Sequence, residues 1–181
     1  MGLGPTRDLG PAIVVWGART VAEIFEEVRW KCEGADAEVF EMLYGATPVD
    51  TIHLGYSACE VTIPATRITL ANLAVMTPGG TNSGGSTGAV EVKVAGTGAE
   101  VGRSMYDNGL PLFIKPIVDG IAVANGKWIR LEHTYPRPNY DVVFDLRTQR
   151  VYGMTFKAHP DATSKQLWSI GTVATTDTTG Y

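Results

Sequence analysis

Two stretches of the chain alternate strictly between apolar and polar side chains, and they set the expectation for the rest. Over residues 23–33, Ile24, Val28, Trp30 and Cys32 share one parity, while Glu23, Glu27, Arg29, Lys31 and Glu33 share the other. Over residues 52–67, Cys59, Val61 and Ile63 alternate with Glu60 and Thr62 in the same way. A period of two sends successive side chains to opposite faces of a strand, so each stretch predicts a long strand with one apolar and one charged face. A charged face running along two strands must look at water. Glu26 falls on the apolar side of the first stretch, which calls for a bulge or a basic partner there.

The segment between them, residues 34–51, reads as a loop too long for a simple hairpin turn. It carries Phe40, Met42, Leu43 and Tyr44, followed by Pro48 and Asp50. Large apolar groups on such a loop either fold back onto their own sheet or meet a partner surface.

Around this centre the pattern predicts short strands and one helix. Ala12–Trp16 is wholly apolar and reads as a buried strand. Pro64 is expected to stop the second long strand. Leu70, Leu73 and Ala74 have helical spacing behind a Thr69 cap, with Pro78-Gly79 as the stop. Residues 78–88 read as a flexible Gly/Ser/Thr loop, and residues 89–95 as an alternating strand. Further strands are expected over 110–117 and 127–132, with turn signals at Asp119-Gly120 and Asn125-Gly126. Residues 135–139 hold Pro136 and Pro138, which argues against a central strand there. A hairpin is expected from 141–146 and 149–159 across Arg147-Thr148, and residues 167–170 join the sheet last. Residues 1–11 form an extended N-terminal arm and 174–181 a Thr-rich tail. The fold class is therefore all-β, an antiparallel β-sandwich or partly closed barrel with one flanking α-helix, in a single domain.

Composition agrees with a folded domain: 44% of the 181 residues are hydrophobic and 19% charged, and 21 glycines favour frequent turns. The formal net charge of -4, with no basic stripe, argues against tight binding of nucleic acid. No apolar run is long enough for a membrane span and no signal-peptide core is evident. Met1-Gly2 opens a loose myristoylation pattern that no polybasic cluster reinforces. The two cysteines, Cys32 and Cys59, both lie on the apolar parity of their strands. They read as buried thiols, or as a bridge if the strands are neighbours in the right register.

Motifs for chemistry are weak. His53, His133 and His159 are far apart in sequence and lack ligand spacing, so no metal is expected. Gly96 to Gly102 spells GxGxxxG, one residue too long for a dinucleotide fingerprint, and no helix follows. Gly55-Tyr56-Ser57-Ala58-Cys59 lacks the second glycine of a nucleophile elbow. Paired acids such as Glu26/Glu27 are spaced as solvated strand residues. The expectation is a protein that is not an enzyme and has no cofactor.

Four weak motifs in order carry a resemblance. Leu9-Gly10-Pro11 leads into Ala12–Trp16, and Gly45-Ala46-Thr47-Pro48-Val49-Asp50 precedes the second long strand. That strand ends in Glu60-Val61-Thr62-Ile63-Pro64 and is followed by Leu70-Ala71-Asn72-Leu73-Ala74. Near the end, Arg150 to Asp161 leads to an apolar element closing at Gly171. Together these resemble the tail tube (major tail) proteins of tailed bacteriophages, chiefly at the two ends of the chain.

The resemblance implies a structural virion protein that assembles with itself as hexameric rings stacked into a hollow tube. Strands of all subunits would join into one inner barrel that passes DNA and tape-measure protein during genome ejection. Its other partners would be the tail terminator and baseplate or tip proteins, with a sheath if the tail contracts, and no membrane. It would reside in the virion tail, and in host cytoplasm during assembly. On that reading Glu23, Glu27, Arg29, Lys31, Glu33, Glu60 and Thr62 line the lumen. Phe40, Met42, Leu43, Tyr44, Pro48 and Asp50 belong to the loop between rings. The alternatives are another ring-forming tail component (terminator, baseplate hub ring or secretion-system tube) and a monomeric β-sandwich binding module.

Overall fold

The computed structural model describes residues 12–21, 23–24, 27–66, 68–85, 88–94, 102–118, 121–122, 128–140, 142 and 150–171. In chain order the elements are β1 (Ala12–Trp16), β2 (Arg19–Thr20), β3 (Glu23–Ile24), β4 (Arg29–Phe40) and β5 (Pro48–Thr66). Helix α1 (Leu70–Met76) follows, then β6 (Gly80–Gly85), β7 (Gly88–Val94), β8 (Leu110–Val118) and β9 (Ile121–Ala122). The last strands are β10 (Trp128–Asn139), β11 (Tyr152–His159) and β12 (Trp168–Gly171).

Ten strands form one antiparallel sheet in the order β2-β1-β8-β10-β11-β5-β3, with β4 beside β5, β12 beside β10 and β9 beside β8. Alternation supplies its inner face: Val14 and Trp16 from β1, Leu112 and Ile114 from β8, Leu131 from β10, Met154 and Phe156 from β11, and Val61 and Ile63 from β5. The sheet bends so that β1 faces β11. Trp16 on β1 and Phe156 on β11 have two strands, β8 and β10, between them in the order, yet their ring centroids lie 5.7 Å apart. The two halves enclose the core as the layers of a β-sandwich do. No ladder among the described residues joins the outer strands, so the sheet is open, in agreement with the expected antiparallel β-sandwich.

The helix forms as its sequence predicts. Thr69 accepts a hydrogen bond from the Asn72 amide at 3.2 Å, capping the first turn. Its Met76 is fully buried in the core, and Asn72 Nδ2 donates to the Thr20 carbonyl at 2.9 Å, tying α1 to β2. The chain leaves α1 so tightly that a Cβ at Gly80 would collide with the Ala74 and Thr77 carbonyl oxygens, which reserves that position for glycine.

Several expectations require correction. Residues 34–51 are not a long loop: β4 runs to Phe40 and β5 begins at Pro48, so the two long strands are one hairpin. Only residues 41–47 connect them, through a 3₁₀ turn at Met42–Tyr44 and Gly45 at φ 64°. Residues 78–88 are not one loop, because β6 and β7 pair there as a two-stranded sheet. The first long strand is divided into β3 and β4.

Pro64 does not end β5. It falls between the β4 partners, which stop at Thr62, and the β3 partners, which start at Ala65, so no ladder on that side needs its missing N–H. Pro136 and Pro138 do lie within β10. The β8 ladder reaches only Thr134, so both prolines sit where β10 has a neighbour on one side alone. The N-terminal arm, the C-terminal tail, Glu26, the two turn signals, most of the GxGxxxG run and the hairpin across Arg147-Thr148 lie outside the described residues.

Candidate assembly interface

The β4–β5 hairpin has two halves with opposite polarity. Near the core, Trp30 stands opposite Val61 and Cys32 opposite Cys59, and these side chains face inward. On the other face Arg29 pairs with Thr62, Lys31 with Glu60 and Glu33 with Ala58. Beyond Gly34 the arrangement reverses. The face that carried Trp30 and Cys32 now carries Asp36 opposite His53 and Glu38 opposite Thr51. The face that carried Lys31 and Glu33 now carries Ala35, Ala37 opposite Ile52, and Val39 opposite Asp50. Directly opposed residues share a face, so the apolar stripe crosses from the core side to the outer side.

Three shifts in the ladder accompany the reversal, each leaving an extra residue in β5: Ser57, Leu54 and Val49. Such bulges bend and twist a strand pair. Residues 41–54 are all exposed, so this half projects from the domain. At its tip Phe40 stands opposite Pro48, and the turn presents Met42 at 99% exposure and Leu43 at 86%. Side chains as bare as these find no cover in their own domain. Tyr44, Val49, Ile52, Leu54 and Tyr56 are also exposed large apolar groups; Ile52 lies in the outer stripe, whereas Tyr56, opposite Gly34, lies on the face of Trp30 and Cys32. Asp50 turns inward on its own backbone, its Oδ1 accepting from the Thr51 amide at 2.8 Å.

The base of the hairpin is held twice. The Cys32 and Cys59 sulfurs are bonded, with Cα atoms 4.1 Å apart. Trp168 of β12 packs edge-on against Trp30 at 5.3 Å and Tyr56 at 6.4 Å between centroids.

Of the residues expected to line a channel, Arg29, Lys31, Glu33, Glu60 and Thr62 come together on one outer face. Glu27 is exposed and pairs with Arg29 at 2.5 Å, while Glu23 belongs to β3 and its backbone pairs with Thr66. The face continues onto β11 with Thr155 opposite Thr62 and Lys157 opposite Glu60, and onto β10 with Arg137 opposite Thr155. Its carboxylates are matched: Lys31 contacts Glu33, and Arg137 lies 3.9 Å from Glu60. The surface is polar and mixed rather than acidic. The acid lies elsewhere. Residues 34–56 contain Asp36, Glu38, Glu41 and Asp50 with no Lys or Arg, and the other 15 acids of the chain are balanced by its 15 bases.

Register also brings together two histidines that sequence kept apart. His133 of β10 stands opposite His159 of β11. Tyr106 stacks on His133 at 4.6 Å and Tyr135 on His159 at 5.4 Å. His133 Nε2 meets Asp161 Oδ2 at 3.3 Å. Asp161 organises the following turn, its Oδ1 accepting from the Ser164 amide at 2.6 Å, the Ser164 hydroxyl at 2.9 Å and the Thr163 amide at 2.9 Å. The cluster fixes the connection from β11 to β12. Among the described residues no group of three His, Cys, Asp or Glu side chains is placed to hold a metal ion.

The sequence reading missed Val49, Ile52, Leu54 and Tyr56. A parity change could have found them: apolar residues fall on even positions at 52, 54 and 56 but on odd positions at 59, 61 and 63. Compared with family models and with curated proteins, the chain finds no match.

Proposed function

We propose that this protein is a tail tube subunit that assembles with itself into stacked hexameric rings, forming a conduit for DNA and tape-measure protein. The observation that carries the reading is the reversal of the apolar face at Gly34, which turns the outer stripe of the hairpin away from the core formed by the described residues and leaves its tip bare. A second copy supplies the missing surface. Heterologous contacts of this kind close into rings and repeat from ring to ring as an open filament. β4 adds a second reason, since among the described residues it pairs only with β5 and presents the other edge of a 12-residue strand. Joining that edge to a neighbouring subunit removes an exposed ladder. The mixed polar face on β4, β5, β10 and β11 then lines the channel, where opposed charges in pairs give passing DNA little to adhere to. The order of sequence motifs shared with tail tube proteins points the same way.

Electron microscopy of the purified protein tests this directly. Six-fold rings or tubes are expected as concentration rises. A species that stays monomeric at high concentration and is absent from virions overturns the proposal.

A further inference from the structure

Cys32 and Cys59 are the chain's only cysteines, and they meet where the supported half of the hairpin gives way to the projecting half. From Arg29 to Glu33 the ladder is unbroken, and its inner face rests on the core. One rung beyond the cysteines the first shift occurs, and two more follow before Phe40. A strand pair without a buried face and with three bulges holds its register weakly, because a slip costs it no core contact. The sulfur–sulfur bond is therefore the covalent restraint on the register beyond it, where Trp168 against Tyr56 and the exposed contact of Asp36 with His53 at 2.9 Å are the weaker, non-covalent ones.

We propose that Cys32–Cys59 is a thiol–disulfide switch that sets the rigidity of the projecting hairpin, with a small cellular thiol such as a glutathione-type tripeptide, or a dithiol, as its co-reactant. The two sulfurs are unequally accessible: Cys59 is 3% exposed, whereas Cys32 is only partly buried. An incoming thiolate attacks Cys32 Sγ, the old bond breaks, and Cys59 leaves as a thiolate that takes a proton. A second external thiol then attacks the sulfur of the first reagent, releasing Cys32 and leaving the reagent as its own disulfide. Two electrons pass from the external thiols to the cysteine pair, and the reverse sequence with an external disulfide restores the bond.

In the bonded state the sequence separation of 27 is closed covalently, and the tip is carried in one register. In the reduced state the ladder beyond Glu33 is free to open. The switch is a property of the single subunit; only its consequence, control over when the apolar tip is presented to another copy, rests on the tube reading. A reducing cytoplasm would keep the hairpin loose, and oxidation outside the cell would set it.

Hydrogen exchange measured by mass spectrometry on the isolated subunit tests the switch. Three samples are compared: oxidised protein, protein reduced with dithiothreitol, and the double variant Cys32→Ala/Cys59→Ala. Amides of residues 35–40 and 48–55 are expected to exchange on the order of 100-fold faster in the second and third samples. Amides of β8 and β10 should be unchanged, and limiting glutathione should leave its adduct on Cys32. Equal exchange of the hairpin in all three samples overturns the proposal. So does faster exchange throughout β8 and β10, which would make the bond a staple of the whole fold. Two titratable thiols after treatment with glutathione disulfide overturn it as well. Absence of tubes in the microscope leaves the switch standing and removes only its consequence.

Discussion

Thr134 is a single buried polar residue on which three strands converge. Its hydroxyl donates to the Leu110 carbonyl at 2.7 Å, and its own carbonyl accepts from Trp16 Nε1 at 3.2 Å. Thr134→Val keeps the shape but leaves the Leu110 oxygen without that donor, and should cost about 1–3 kcal/mol in urea unfolding. Phe156, fully buried against Trp16, should cost about 3–5 kcal/mol on truncation to Ala. The cluster around His133 makes stability depend on pH in two windows. Hydrogen bonds from the Ser164 amide and hydroxyl, and more weakly from Thr163 and His133, hold the Asp161 carboxyl down to about 2 from its usual 3.8. Its contribution is present above the usual value and is lost as pH falls through about 2. Burial, then Lys157 and His133, push His159 below its usual 6.5, so the fold prefers the neutral ring. Stability is full above 6.5 and declines as pH falls through that lowered value. Urea midpoints followed between about pH 2 and pH 8 should show both declines. Asp161→Asn should remove the lower one alone, and His159→Gln the upper one alone.

Whether an element could be read from sequence depended on whether local chemistry alone decided it. β1, α1 and the buried run of β11 were legible because Ala12–Trp16 is uniformly apolar, Thr69 caps in place, and Met154 and Phe156 alternate without interruption. The prolines misled because their meaning depends on the neighbouring strand. Pro64 and Pro138 are harmless only because a ladder happens to be missing beside each, which no window of sequence reveals. The hairpin was misread for a related reason. In β4 the apolar residues move from even to odd positions beyond Cys32, which reverses the face. In β5 the extra residue Ser57 changes parity and still leaves Tyr56 on the face of Cys59, so parity alone could not be followed through the hairpin. The pairing of His133 with His159 was likewise hidden in register. The reversal predicts which side of the hairpin matters for assembly. Val39→Glu with Ile52→Lys places charge in the outer stripe and should abolish polymerisation in light scattering, with less than about 1 kcal/mol lost from the folded subunit. Glu38→Gln, on the opposite face, should leave polymerisation intact. If both variants assemble alike, the stripe is not the contact.

Charge is distributed over the molecule in a way that its total conceals. The net charge of -4 is carried by the four carboxylates of the hairpin's projecting half, residues 34–56, and the remainder is balanced. An acidic projection on a neutral body suits an interface better than a channel wall, whereas a wall that must let a polyanion slide needs low net charge of either sign. On the face assigned to the channel, Glu27 and Glu60 hold Arg29 and Arg137 in opposed pairs at 2.5 and 3.9 Å. Both pairs are largely exposed, so they contribute little to folding, and the subunit should tolerate their loss. Glu27→Lys with Glu60→Lys changes the face by four positive charges in every subunit and leaves each neighbouring cation without its partner. Stacked rings would repeat that change along the whole channel, turning a wall of nearly balanced charge into a phosphate-binding one. Tubes should still form, because the projecting half of the hairpin beyond Gly34 is untouched, but DNA ejection should slow, and added salt should relieve the defect as it screens the phosphates. Single-particle ejection kinetics at low and high salt would read this out. Unchanged ejection at low salt would show that this face does not meet the DNA and would move the channel lining to another side of the sheet.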